Sequence, residues 1–271
     1  MEREASTTPG RPGIGPGWLR DVLGGPRRAR RAFAIGAIVA TAACALFAAR
    51  PAAAWTVDGN ALPADFEAFS RRFASDAYFY PGHGAAPLGL VGFNVYAEGS
   101  YDSSFGSAGF TDSAIRGDLT GGALVVGRVG VRKGLPGKID LGVAVSQALG
   151  GDVKLGSAEL SYALLGGGAA TPAVGLRLTG TRTLDAHAYV LDQEGAEILV
   201  SKGFVLLTPY LGAGVVHSRG RLHGDLGTQT TNDTRGIAYA GITLNLLLPK
   251  ISVEVEKGDV VQGRVRVAFG F

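Results

Sequence analysis

From Leu88 to Phe271 apolar side chains return at every second position, run after run, and a backbone answers that period by forming strands with one apolar and one polar face. The last run is the clearest: Val261, Val265, Val267, Phe269 and Phe271 are interleaved with Gln262, Arg264, Arg266, Ala268 and Gly270. Nine more precede it. Val91, Phe93, Val95, Ala97 and Tyr101 stand against Gly92, Asn94, Tyr96, Glu98 and Ser100, and Val125, Val129 and Val131 against Arg128, Gly130 and Arg132. Ile139 to Val145, Ala158 to Leu164, Val174 to Leu178 and Ala196 to Val200 follow, with Asp140, Glu159, Arg177 and Glu197 on their polar faces. Residues 208 to 218 form a Gly-rich seventh run whose facing is open. Ala238 to Leu246 and Ile251 to Val255 complete the set, the latter backed by Glu254 and Glu256.

Such runs predict an all-β, antiparallel up-and-down barrel of about 10 strands (8 to 12), each near the nine to eleven residues that a tilted strand needs to cross a bilayer. The connections alternate in length as such a barrel requires. Gly134 to Gly137, Gly166 to Thr171, Gly203 to Leu207 and Pro249 are short, whereas Asp102 to Gly121 and Arg219 to Thr234 read as long loops on the opposite side. A soluble barrel shows the same period turned inside out. Here the polar face is poor in Lys and mixes Arg128, Arg132, Arg177, Arg264 and Arg266 with Glu98, Asp140, Glu159, Glu197, Glu254 and Glu256, the composition of a confined lumen where forked guanidiniums meet carboxylates.

Residues 88 to 271 resemble the small bacterial outer-membrane β-barrel proteins, and the most specific mark is the final strand with Val265, Val267, Phe269 and Phe271. The resemblance implies insertion in the outer membrane, with outer-membrane lipid as surroundings and the barrel-assembly machinery as the partner that reads this strand. It implies no particular activity, because the fold hosts pores, adhesins, lipid-modifying enzymes and proteases.

The front of the chain is of another kind. Arg27, Arg28, Arg30 and Arg31 precede the uncharged run Phe33 to Ala49, and Ala52-Ala53-Ala54 follows, so residues 1–54 are expected to be a secretory signal peptide cleaved before Trp55. These residues hold eight of the 26 Lys and Arg and three of the 23 Asp and Glu; the net charge of +3 therefore becomes −2 in the remainder, which excludes nucleic acid as an expected partner. Cys44, the single cysteine, leaves with them. Residues 55–87 form a periplasmic or plug segment, in which Pro63 opens a short helix and Phe66, Phe69, Phe73 and Ala77 share one stripe.

No catalytic, cofactor or metal motif stands out. His217 and Ser218 are neighbours on a strand and so face opposite ways. His187 with Asp185 and Asp192, or His223 with Asp225, could meet at the outer rim in the manner of the omptin proteases, but they fit no motif. The expected role is a structural or surface-binding barrel whose lumen is filled by Arg and carboxylate pairs. The alternative is a narrow pore for small polar solutes or ions, with the same residues setting selectivity. An outer-membrane enzyme is the remote third reading, and any extracellular ligand is unreadable.

Overall fold

The computed structural model describes residues 54–119, 122–185, 188–225, 227–246, 249–257 and 261–270. The expected signal peptide, apart from its last residue, and the side chains of His187 and Phe271 lie outside the described residues. Ten strands close into an antiparallel barrel: β2 (Phe93–Asp102), β4 (Leu124–Leu135), β5 (Ile139–Ala148), β6 (Lys154–Gly166), β7 (Ala173–Thr183), β8 (Tyr189–Ser201), β9 (Leu207–Gly224), β10 (Gly227–Asn245), β11 (Pro249–Lys257) and β12 (Val261–Gly270). Each pairs with its neighbours in chain order, and β12 pairs with β2 to close the ring. Four further elements stand apart from it: β1 (Trp55–Val57), which pairs with β3 (Ile115–Gly117), the helix α1 (Pro63–Ala77), and the short α2 (Thr111–Ala114).

The facing follows the sequence period. Leu141, Val143, Leu178, Ile198, Leu211, Ile242, Val253 and Val265 are exposed on the outside, while all eleven charged residues read as lumen-facing are buried within. The Gly-rich β9 resolves in the same sense, with Leu211 and Val215 outward and Tyr210, Val216 and Ser218 inward. An exterior apolar on every side and an interior that is charged invert the pattern of a soluble barrel. One irregularity interrupts the alternation: a bulge between Ala163 and Leu165 leaves Leu164 and Leu165 both exposed.

Arg219 to Thr234 is not a loop. Strands β9 and β10 stay paired over eighteen positions, from Gly224 opposite Gly227 down to Leu207 opposite Leu244, so this stretch is a β-ribbon standing above the apolar band. The other expected loop, Asp102 to Gly121, carries a 3₁₀ turn at Phe105–Ser107, α2 and β3. Its Phe105 and Phe110 are buried rather than displayed.

They are buried by α1, which closes the barrel mouth at the long-hairpin end. Phe69 stacks on Phe73 (5.6 Å between centroids) and meets Tyr189 (5.3 Å), Phe110 (5.9 Å) and Phe105 (6.2 Å) edge-on. Trp55, Leu124, Leu155, Leu191 and Leu222 complete this apolar cap. Each fully buried aromatic contributes about 1.5–3 kcal/mol, and well-placed ring pairs add about 0.5–1.5 kcal/mol. From the end of α1 the chain runs down the lumen as an uncharged strap, Tyr78 to Leu88, reaches the short-turn end, and turns back as β2.

Candidate functional site: a charged lumen threaded by a strap

Alternation places every lumen-facing charge one strand away from another, and the register makes them partners. Arg177 is the centre of one chain: its Nε donates to Glu159 (2.6 Å) and its Nη1 to Glu197 (2.8 Å). Glu159 also lies 3.4 Å from Arg132 Nε, and Arg132 Nη2 donates to Asp140 at 2.7 Å. Five residues from β4 to β8 thus form a continuous ladder. On the other side of the barrel Glu98 accepts from Arg128 and from Arg266 Nε and Nη2 (2.8 and 2.5 Å).

Across β11 and β12, Arg264 Nη2 donates to Glu256 (2.9 Å), and its Nη1 lies 3.7 Å from Glu254. The register sets Arg264 opposite Glu254. Arg266, however, is opposite Ser252 on that side and opposite Glu98 on the other, so its carboxylate comes from β2 and not from β11. A pair of this kind fastens the seam between the last strand and the first.

Strap and ladder are bonded throughout. Tyr78 and Tyr239 each donate to Glu197 at 2.5 Å, and Tyr80 donates to Glu256. Arg128 Nη2 donates to the carbonyls of Ala77 and Tyr78 (both 3.0 Å), while Arg266 donates to those of Tyr80 (3.2 Å) and Pro81. The Arg128 and Arg177 guanidiniums lie over the Phe79 ring (5.1 and 4.8 Å), and that of Arg264 over Tyr80 (3.9 Å). Lower down, Ala85 N–H donates to Ser201 (2.9 Å) and Leu88 N–H to Asp140 (3.1 Å). The strap carries no Asp, Glu, Lys or Arg of its own, so it exchanges hydrogen bonds with the ladder without upsetting its charge pairing.

Close approach is possible because particular positions lack a side chain. A Cβ on Gly195 would stand 2.0 Å from Tyr78 Oη, and one on Gly82, whose φ is +55°, would stand 2.5 Å from the Arg266 guanidinium. With the strap seated, the two lumen cavities beside His83 measure about 10 and 30 Å³, room for about one water molecule.

Several lumen residues escape the sequence reading. Arg235 is buried, donating to Ala74 O (2.9 Å) and Ser218 (3.2 Å), because β10 begins well before Ala238, where the sequence reading starts the strand, and its parity already holds at Arg235. The parity of Tyr239 and Thr243 was the available signal. Tyr78 and Tyr80 had none, since their partners are remote in sequence.

The histidines are dispersed. His217 is exposed and Ser218 buried, on opposite faces. His223 is bonded to Thr228 (3.0 Å), and Asp225 accepts from Asn60 (3.1 Å), so that pair is not assembled. Asp192 pairs with Arg182 (3.3 Å) and Arg221, and Asp185 with Lys154 (3.8 Å). Among the described residues no three His, Cys, Asp or Glu side chains are grouped to hold a metal ion.

No family model and no curated protein matches this chain. Among solved structures it is similar to the N-terminal β-barrel domain of Pseudomonas aeruginosa OprF, at 15% identity over 68% of this chain and 99% of that one, with a TM-score of 0.34. It is also similar to the KdgM porin (9% identity, 65% and 99% covered, TM-score 0.37) and to Neisserial surface protein A (12%, 66% and 95%, TM-score 0.29). Likenesses this distant say nothing about what the lumen does.

Proposed function

We propose that this protein is an integral barrel of the bacterial outer membrane, closed along its axis, whose role is structural or lies in its outer surface rather than in transport. One observation carries the reading: the strap fills the lumen and is bonded to both halves of the Arg and carboxylate ladder. The apolar exterior supports the membrane setting, and the long hairpins support placing the capped mouth at the cell exterior. Outward-facing Val265, Val267 and Phe269 are the side chains that the barrel-assembly machinery would read on β12.

In this reading Glu98, Arg128, Arg132, Asp140, Glu159, Arg177, Glu197, Glu254, Glu256, Arg264 and Arg266 hold the barrel shut instead of selecting a solute. No cofactor and no catalytic step is proposed. Planar-bilayer recordings of the protein processed at Trp55 test it. The expected result is a silent bilayer with intact protein, alongside the heat-dependent gel shift of a folded barrel. A variant lacking residues 55–87 is expected to show discrete conductance steps. Steady channels from the intact protein would overturn the closed reading, and recovery from the soluble periplasm without a gel shift would overturn the membrane one.

A further inference from the structure

The outside of the barrel changes character along β6 to β9. Toward the short turns its outward side chains are Leu160, Tyr162, Leu176, Leu178, Ile198 and Val215, all exposed and apolar. Toward the long hairpins the same rows continue as Arg182, Asp192, Glu194, His217, Arg219 and Arg221. A groove of about 950 Å³ crosses this boundary. Its floor is Val145, Ala158 and Leu184, and it is open above Gly180, where an added Cβ would meet nothing within 4 Å.

Cations dominate its upper rim. The register sets Arg182 opposite Asp192 and Asp192 opposite Arg219, which places the two arginines two strand spacings, about 10 Å, apart. Asp192 is already shared between Arg182 (3.3 Å) and Arg221. Arg219 donates only to the neutral Asn232 (3.0 Å) and, among the described residues, has no carboxylate within 4.0 Å. Two of the three guanidiniums therefore share one carboxylate, and the third, Arg219, has none among the described residues. Glu194, one step nearer the apolar band and opposite His217, is the remaining negative group on the rim.

We infer that this groove holds a phosphorylated lipid of the outer leaflet, its acyl chains on the Val145, Ala158 and Leu184 floor and its headgroup phosphate between Arg182 and Arg219. An amphipathic ligand is the one whose two parts match both halves of the groove, and a guanidinium with unused N–H groups forms forked bonds to phosphate. Water would satisfy the rim but not the floor, and a neutral lipid the floor but not the rim. The inference rests on the membrane reading above.

The test uses the processed protein inserted in phosphatidylcholine vesicles containing 10 mol% of either a phosphorylated acyl-glycolipid or its dephosphorylated form, followed by gentle extraction and native mass spectrometry, where the percentage is about a tenth, chosen to leave the bulk lipid in excess. The intact protein is expected to retain the phosphorylated lipid at least about fivefold over the other, a differential of about 1 kcal/mol. Arg182→Gln with Arg219→Gln should abolish that preference while the gel shift and the silent bilayer persist. Glu194→Gln should strengthen it, and Lys138→Gln, at the short-turn end, should leave it unchanged. Excess inorganic phosphate should not displace the lipid; full displacement would make free phosphate the ligand and overturn the lipid assignment. Equal retention of both lipids, or undiminished preference in the double variant, overturns the site while leaving the barrel intact. Failure of the protein to insert overturns the membrane reading and this inference together.

Discussion

Asp76 shows how a single buried group is tuned at the mouth of the barrel. It is almost wholly buried at the end of α1, takes a hydrogen bond from Gln262, and lies 3.9 Å from Arg72. Burial first, then the charge of Asp102, holds its carboxyl well above the usual range, against the opposing pull of Arg72. The folded state thus holds the proton more tightly than the unfolded chain, whose carboxyl releases it near pH 4. Above that pH the unfolded state binds fewer protons, so this group's contribution to stability falls as pH rises toward its folded value. Asp76→Asn removes that slope. The variant is expected to be more stable than the parent by about 1 kcal/mol at pH 7 to 8, with the gain vanishing near pH 4, about the scale of a lost buried hydrogen-bond mismatch. Urea titration followed by the gel shift at the two pH values measures it; a variant less stable at both would show that the carboxylate is ionised and needed. The same residue illustrates a limit of pattern reading. Nothing in Ser75-Asp76-Ala77 marks a buried acid, because its neighbours Gln262 and Asp102 are brought to it by the barrel.

Among the elements, the ten strands were legible because lipid on one side and a charged lumen on the other impose opposite demands on successive residues. The legibility ends where lipid does. On the β9–β10 ribbon the outward residues His217, Arg219, Arg221 and His223 face solvent, as do Thr228, Thr230 and Asn232, so both faces are polar and the period disappears although the pairing continues. The strap was illegible for a different reason: Tyr78-Phe79-Tyr80-Pro81-Gly82 has no period, and its conformation is dictated by guanidiniums and carboxylates from five or more strands. The stripe on α1 named its apolar face but not the end of the barrel it closes. That placement has a consequence for topology. β1 and Trp55 sit beside Gly117 and Gly150 among the long hairpins, so in the proposed orientation the processed N-terminus would lie on the cell exterior, although β2 starts at the opposite end. A short epitope inserted between Ala54 and Trp55, beyond the signal cleavage site, is expected to bind antibody on intact cells. Binding seen only after the outer membrane is permeabilised would place the cap on the wrong side.

For the whole molecule, closing the barrel and seating the strap are one event, because the strap runs directly into β2 and β2 is the strand on which β12 completes the ring. Arg266 joins all three: it reaches Glu98 on β2 from β12 while donating to the Tyr80 and Pro81 carbonyls of the strap. Removing it leaves Glu98 with Arg128 alone and two strap carbonyls without donors. Breaking a buried charged pair by truncating one partner costs about 3–5 kcal/mol. In Arg266→Leu the larger part of that cost falls on the threaded state, since the backbone pairing of β12 with β2 survives the substitution. If the low end, about 3 kcal/mol, goes into releasing the strap, its unseated population rises roughly hundredfold. Cleavage follows that population when opening is fast relative to the protease. Chymotrypsin should therefore cut the variant after Tyr78 or Phe79 about a hundred times faster than the parent, in which both aromatics are wholly buried, and the same variant should flicker between silent and conducting levels in a bilayer. An Arg266→Leu protein that keeps its gel shift, resists chymotrypsin after Tyr78 and Phe79 and stays silent would mean that strap and seam are held independently, with the remaining arginines sufficient to keep the lumen closed.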